Sequence, residues 1–132
     1  MEKSDHINYW LTAASYDLDS MMKNFISSNY DWSLFMGHLV LEKALKALWI
    51  KNNDGNIPTK THNLLKLANE AKLKCEDIGL EFLTVVNTFN IEARYPDYKF
   101  SFRQKCTKEY TESALNQIKD FYKCITNQIS QI

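Results

Sequence analysis

The sequence predicts an all-α fold, and three observations carry that reading. Apolar residues recur at three- and four-residue intervals through most of the chain, and strand-like alternation is missing. Glycine and proline number only three and two in 132 residues; strands need the turns these residues supply, whereas long helices need few. Hydrophobic residues make up 45% of the chain, enough for a true core. A chain this long makes one domain and buries roughly two-thirds of its unfolded surface. The expectation is a single domain over 1–132, an up-and-down bundle of four to five helices.

The first helix is expected from about Asp5 to Ile26, where Trp10, Ala14, Leu18, Met21 and Phe25 share a face. The turn SSNYD follows, with Asp31 as the expected cap of the next helix. That second helix, about Trp32 to Lys51, is apolar on most sides, as a central helix should be. Its exceptions, His38, Glu42 and Lys46, form one polar line at i, i+4 and i+8, and Glu42 before Lys46 is the favourable order for a helical ion pair. This line reads as a solvated stripe, a polar seam in a dimer interface, or a catalytic or ligand-binding group in which His38 and Glu42 act as an acid–base pair. NNDGNIP breaks the chain. Thr61 is the expected cap of a short third helix with Leu64, Leu65, Leu67 and Ala68. A fourth begins near Asp77 and carries Ile78, Phe82, Val85, Val86 and Phe89. Pro96 disfavours helical geometry at Tyr95, so this helix should end near Ala93. The last helix should start near Thr107, with Ala114, Ile118, Phe121, Ile125 and Ile129 on one face. Trp10, Phe25, Phe82, Phe89 and Phe121 read as core.

The 16 basic and 16 acidic residues cancel. Such a chain has no overall field to gather nucleic acid or an anionic membrane. Only Arg94 and Arg103 are arginines, which draws attention to both, because the guanidinium fork suits carboxylate and phosphate. Cys75, Cys106 and Cys124 are widely spaced and include no CxxC, so they read as reduced thiols of a cytoplasmic protein, with no metal site. The start, MEKSDHINYW, has no apolar run of the signal-peptide kind. LVLEKALKALWI is too short and too charged to span a bilayer. No Gly-rich phosphate loop is present, and no cofactor is expected.

The stretch FNIEARYPDYK interrupts the helical pattern with crowded chemistry. Arg94 either pins the loop through Glu92, Asp97 or a distant carboxylate, or takes a phosphate in a two-pronged hydrogen bond. Tyr95 and Tyr98 either stack on a base or pack on the bundle. His62 either satisfies a neighbour locally or donates to a phosphate. With Lys60 two residues before it, a small anion site from Lys60, His62 and Arg94 needs two distant loops to meet. Asp97 and Tyr98 complete this candidate set. Asp17 faces Lys43 or Lys46, or is plain surface.

Four stretches then stand in a telling order: W-x-x-x-A-x-x-D-L at Trp10 to Leu18, HLVLEKALKAL at His38 to Leu48, THNL at Thr61 to Leu64, and FNIEARYPD at Phe89 to Asp97. Together they resemble the HEPN domain, named for higher eukaryotes and prokaryotes nucleotide-binding. The resemblance covers nearly the whole chain and implies a helical bundle that commonly dimerises. Many members of the family are ribonucleases, toxins among them. Their signature is an Arg followed about one helical turn later by a His on the same face. Here the arginines are at 94 and 103 and the histidines at 6, 38 and 62, so no Arg precedes a His. The resemblance therefore implies the family's other role: a non-catalytic, nucleotide-binding homodimer that partners a small nucleotidyltransferase in a toxin–antitoxin-like pair. A ribonuclease with a variant site built on His38 or His62, acting on RNA, and a ligand-free dimerisation module are the alternatives.

Overall fold

The computed structural model describes residues 2–75 and 79–130. Among them are six helices and no strand: α1 Lys3–Ile26, α2 Tyr30–Asn52, α3 Leu64–Glu70, α4 Glu81–Arg94, α5 Ser101–Lys105 and α6 Lys108–Ser130. Four long helices form the bundle, and α3 and α5 are short additions. The start expected near Asp77 lies outside the described residues.

Helix α2 is the axle. It packs on α1, α3, α4, α5 and α6. Leu34, Leu41, Leu45 and Leu48 on it are fully buried. This is the consequence of its having no polar face wide enough to show to water. Phe89 from α4 and Ile118 and Phe121 from α6 close the core around it, while Phe25 and Phe82 pack half-buried at its edge. Trp10 does not join that core; it lies at the rim with the Lys46 ammonium 5.1 Å from its ring centre. Lys3 at the start of α1 donates to the carbonyls of Ile50 (2.6 Å) and Asn53 (2.7 Å). It thereby satisfies the bare C-terminal end of α2 with a cation, as the helix dipole favours.

Two caps differ from expectation. Helix α2 starts a residue before Asp31, with Asn29 as its N-cap, so Asp31 sits in the first turn, where its Oδ1 accepts from Trp32 N at 3.0 Å and its Oδ2 faces Arg103. Helix α3 is capped by Asn63, whose Oδ1 accepts from Lys66 N at 3.2 Å. Thr61 instead accepts from Asn63 N at 3.1 Å. Asn87 of α4 decides this choice, because its Oδ1 takes Leu64 N at 2.8 Å and its Nδ2 donates to Asn63 Oδ1 at 3.1 Å. Asp17 resolves to Lys43, at 2.6 Å.

The thiols also need correction. Cys75 and Cys124 are joined in a disulfide that ties the segment after α3 to α6 across 49 residues of sequence. α6 runs back alongside α2 and brings the two Cα atoms to 6.4 Å, within bonding reach. Only Cys106 is free, and it is buried. Burial first, and the Asp31 charge second, push its thiol up to about 12. No described helix is long and apolar enough to cross a membrane.

Candidate functional site

One face of α2 organises the site. Asp31, Phe35, His38 and Glu42 fall at i, i+4, i+7 and i+11, one above another on a helix. A different group reaches each rung from another part of the chain. Arg103 of α5 puts Nη1 3.3 Å from Asp31 Oδ2. The Arg94 guanidinium, at the end of α4, lies 5.8 Å from the Phe35 ring centre. His38 Nε2 meets the His62 carbonyl at 2.8 Å, and the His62 ring meets Glu42 at 2.6 Å.

The polar line His38–Glu42–Lys46 is thus no solvated stripe. His38 is fully buried and Glu42 nearly so, because the segment ahead of α3 lies over them. The line is a polar seam within one chain. Glu42 Oε1 holds His62, and its Oε2 lies 3.5 Å from Lys46. A carboxylate accepts, so His62 Nδ1 carries the proton that points at Glu42. In the neutral ring, Nε2 then keeps its lone pair, and the His62 side chain is 68% exposed. The carbonyl of His62 likewise fixes His38 as a donor through Nε2. Its Nδ1 is buried without a partner among the described residues. Burial, above all, lowers the His38 pKa; its hydrogen bond to His62 and the Glu42 charge oppose this, while the His62 and Arg94 charges add to it. His38 is therefore neutral at pH 7. The Arg94 charge is near enough to be felt at this ring, so the end of α4 and the segment before α3 converge on one region.

Arg94 is exposed. Its Nε donates to the Asn90 carbonyl at 3.1 Å, and its guanidinium lies 5.3 Å from the Tyr95 ring centre. Among the described residues no carboxylate comes within ion-pair distance of it, so the pairing with Glu92 or Asp97 does not form. Asp97 turns back into its own loop instead. Its Oδ1 accepts from Ser101 N at 2.8 Å, and chiefly this bond holds its carboxyl below the usual range. Asp97 braces the start of α5. Tyr95 and Tyr98 do not pack on the bundle; they are 68% and 86% exposed, with Lys99 5.7 Å from the Tyr98 ring centre. Lys60 is exposed and has no partner among the described residues. Nor do those residues include a metal-holding group of His, Cys, Asp and Glu.

Sequence reasoning missed the Arg103–Asp31 pair, the Asn87 clamp and the part played by Phe35. The spacing of 31, 35, 38 and 42 was available, but Phe35 is one of many apolar residues on that helix and Asp31 reads as a cap. The arrangement can hold an anion at Arg94, offer π-faces at Tyr95 and Tyr98, and present an oriented imidazole at His62.

The crystal structure of TT1696 from Thermus thermophilus superposes with a TM-score of 0.73 at 19% identity, covering 92% of this chain and 96% of that one. At that identity the likeness speaks for the fold alone. No curated protein matches the chain. The HEPN domain model matches residues 7–128, nearly its whole length, and the chain belongs to the HEPN domain family.

Proposed function

We propose that this HEPN-domain protein binds a nucleotide phosphate at Arg94 and a base at Tyr95 or Tyr98. It does so as a non-catalytic homodimer that partners a small nucleotidyltransferase in a toxin–antitoxin-like pair. One observation supports the ligand half of this reading above others: Arg94 is an exposed arginine with no carboxylate partner among the described residues, flanked by an exposed tyrosine ring at 5.3 Å. Guanidinium donors take phosphate oxygens in pairs, and bases stack on tyrosine faces. The partner and dimer halves rest on the family resemblance alone.

Thermal melting with AMP, ADP and ATP at millimolar concentration tests the ligand, since a ligand above its Kd raises the melting temperature of the state it binds. The expected result is a rise that Arg94→Gln removes. No rise with any nucleotide overturns the reading. Light scattering and co-purification with a nucleotidyltransferase encoded alongside test the assembly.

The Glu42–His62 contact favours a second reading, cleavage of RNA. With Nδ1–H directed at Glu42, His62 Nε2 can take the proton of a ribose 2′-hydroxyl. The 2′-oxygen then bonds to phosphorus, the bond from phosphorus to the 5′-oxygen breaks, and that oxygen takes a proton from water. RNA cleavage that His62→Ala abolishes supports it; intact RNA ends it.

A further inference from the structure

Helix α1 packs chiefly on α2, buries Ala14 and Met21, and turns its far side outward. On that outer side Tyr9 and Tyr16 are 61% and 70% exposed, and Asn8, Tyr9, Thr12, Ala13 and Tyr16 line one shallow groove. Isolated exposed apolar residues are ordinary on a protein surface; what singles these out is their arrangement. Seven residues make about two helical turns, so both rings lie on one line along the helix. That line is symmetric. Tyr9 stands three residues before Thr12, and Tyr16 three residues after Ala13. The small residues sit at the midpoint and the large rings one turn to either side. Tyr9 is also braced, edge-on to Trp10 with ring centres 5.2 Å apart. The charges keep the same centre. Glu2 stands ten residues before Thr12, and Lys23 ten residues after Ala13. Glu2 and Asp5 are exposed, while Lys3 is turned inward to the carbonyls of Ile50 and Asn53, so the outward charge at the start of the helix is acid. At the other end Lys23 pairs with Asp19 at 2.9 Å, and both side chains are well exposed. Such a pair holds weakly and can turn to another partner.

We infer that the outer face of α1 is a docking surface for a second copy of this chain, with the two α1 helices antiparallel about a two-fold axis that passes between Thr12 and Ala13. This rests on the homodimer half of the reading above and gives that dimer its face. A two-fold interface must be complementary to itself, because each patch meets its own copy. Reversing the helix about that midpoint sets Tyr9 against the partner's Tyr16, twice over. It also brings Lys23 beside the partner's Glu2 and the partner's Asp5. Thr12 and Ala13 leave room for the rings where the two backbones come nearest. A parallel pair would instead oppose each tyrosine to its own copy and acid to acid, and like charges across an interface are costly. Tyrosine is also among the residues enriched in protein interfaces. A small molecule or an unrelated protein has no need of a pattern that repeats when the helix is reversed.

The test is sedimentation equilibrium of the full chain over a range of concentrations. The wild type should be a dimer. Tyr9→Lys and Tyr16→Glu each enter the interface twice, and each should raise the dissociation constant about tenfold or more. The double variant places opposite charges across the antiparallel seam and should regain at least part of the lost affinity. So should an equimolar mixture of the two single variants, which keeps one contact between tyrosines and makes one charge pair. Both positions are exposed, and circular dichroism reports whether each variant folds. A dimer that neither single variant weakens leaves the homodimer reading standing and sinks the α1 face. Single variants that weaken it, with no recovery in the double variant or the mixture, overturn the antiparallel seam. A wild-type chain that stays monomeric at every concentration ends both readings. So does an α1 face that binds another protein while the chain remains a monomer.

Discussion

Glu42 Oε1 lies 2.6 Å from His62 Nδ1, joining the middle of α2 to the segment ahead of α3. The carboxylate is buried, and Lys46, its other partner, is 13% exposed. Removing one member of a buried ionic set leaves the other charge uncompensated. Glu42→Leu should therefore destabilise the fold by about 3 kcal/mol, the low end for such a loss, because Lys46 can turn outward past Trp10. Glu42→Gln keeps a hydrogen-bonding oxygen and should cost about 1–2 kcal/mol. Urea denaturation measures both. Equal stability of wild type and Glu42→Leu would mean that the seam contributes nothing.

Stability should fall with acid through His38. Its pKa in the folded protein is lowered from 6.5, with burial the leading cause. The unfolded chain therefore takes up this proton first as pH drops. The contribution of neutral His38 is complete above pH 6.5 and is lost as pH falls below that value through the folded pKa. The groups acting on His38 are Glu42 and the His62 carbonyl, which favour the charged ring, and the His62 and Arg94 charges, which oppose it. Urea midpoints measured from mildly alkaline to mildly acidic pH should decline at the acid end for wild type. The decline should flatten in His38→Asn, whatever that variant's absolute stability. An identical pH profile in the two proteins would remove His38 as the cause.

The helices and their order were legible because helical periodicity is a local property. Ala14, Leu41, Phe89 and Ile118 announce their buried faces through neighbours one turn away. Helix α5 was not legible. SFRQK is too short to show a period, and it is held by Phe102, buried against the core, after Phe100 turns the chain at φ 54°. The true caps were hidden for a related reason. Thr61 and Asn63 are both good capping residues, and the choice falls to Asn87, 23 residues beyond Leu64. Within the site, the line of His38 and Glu42 was visible as a pattern, but its burial was not, since the cover comes from residues 61–63. Arg94 stood out as a rare residue in an odd loop. Arg103 was equally rare, yet its meeting with Asp31 spans 72 residues and leaves no trace in either local sequence.

Reduction of Cys75–Cys124 should weaken the fold. The bridge closes a loop of 49 residues, and a crosslink of that span removes chain entropy from the unfolded state worth about 2–4 kcal/mol. A reducing agent should lower the urea midpoint of wild type and leave that of Cys124→Ser unchanged. In the folded oxidised protein, an aromatic disulfide reagent at mildly alkaline pH should find no fast thiol, because Cys106 is buried and its pKa is pushed up to about 12. A wild-type midpoint indifferent to reductant would show that the bridge carries no stability.

At Gly37 of α2 the missing side chain leaves the room that Ile118 of α6 occupies. A Cβ built there would lie 2.6 Å from Ile118 Cδ1 and 3.4 Å from Met21 Sδ, with Ile118 fully buried. Gly37→Ala gains about 1 kcal/mol of helix propensity and meets an overpacking cost of about 1–3 kcal/mol. The net expectation is a loss of about 1 kcal/mol. Ile118→Val removes the clashing methyl and by itself should cost about 1 kcal/mol. Combined, the two changes should cost less than their sum by at least about 0.5 kcal/mol, the size of coupling seen between contacting residues. Chemical denaturation of the four proteins closes this cycle. Strict additivity would show that the methyl group added by Gly37→Ala is accommodated without reference to Ile118, and that the packing of Ile118 does not depend on glycine.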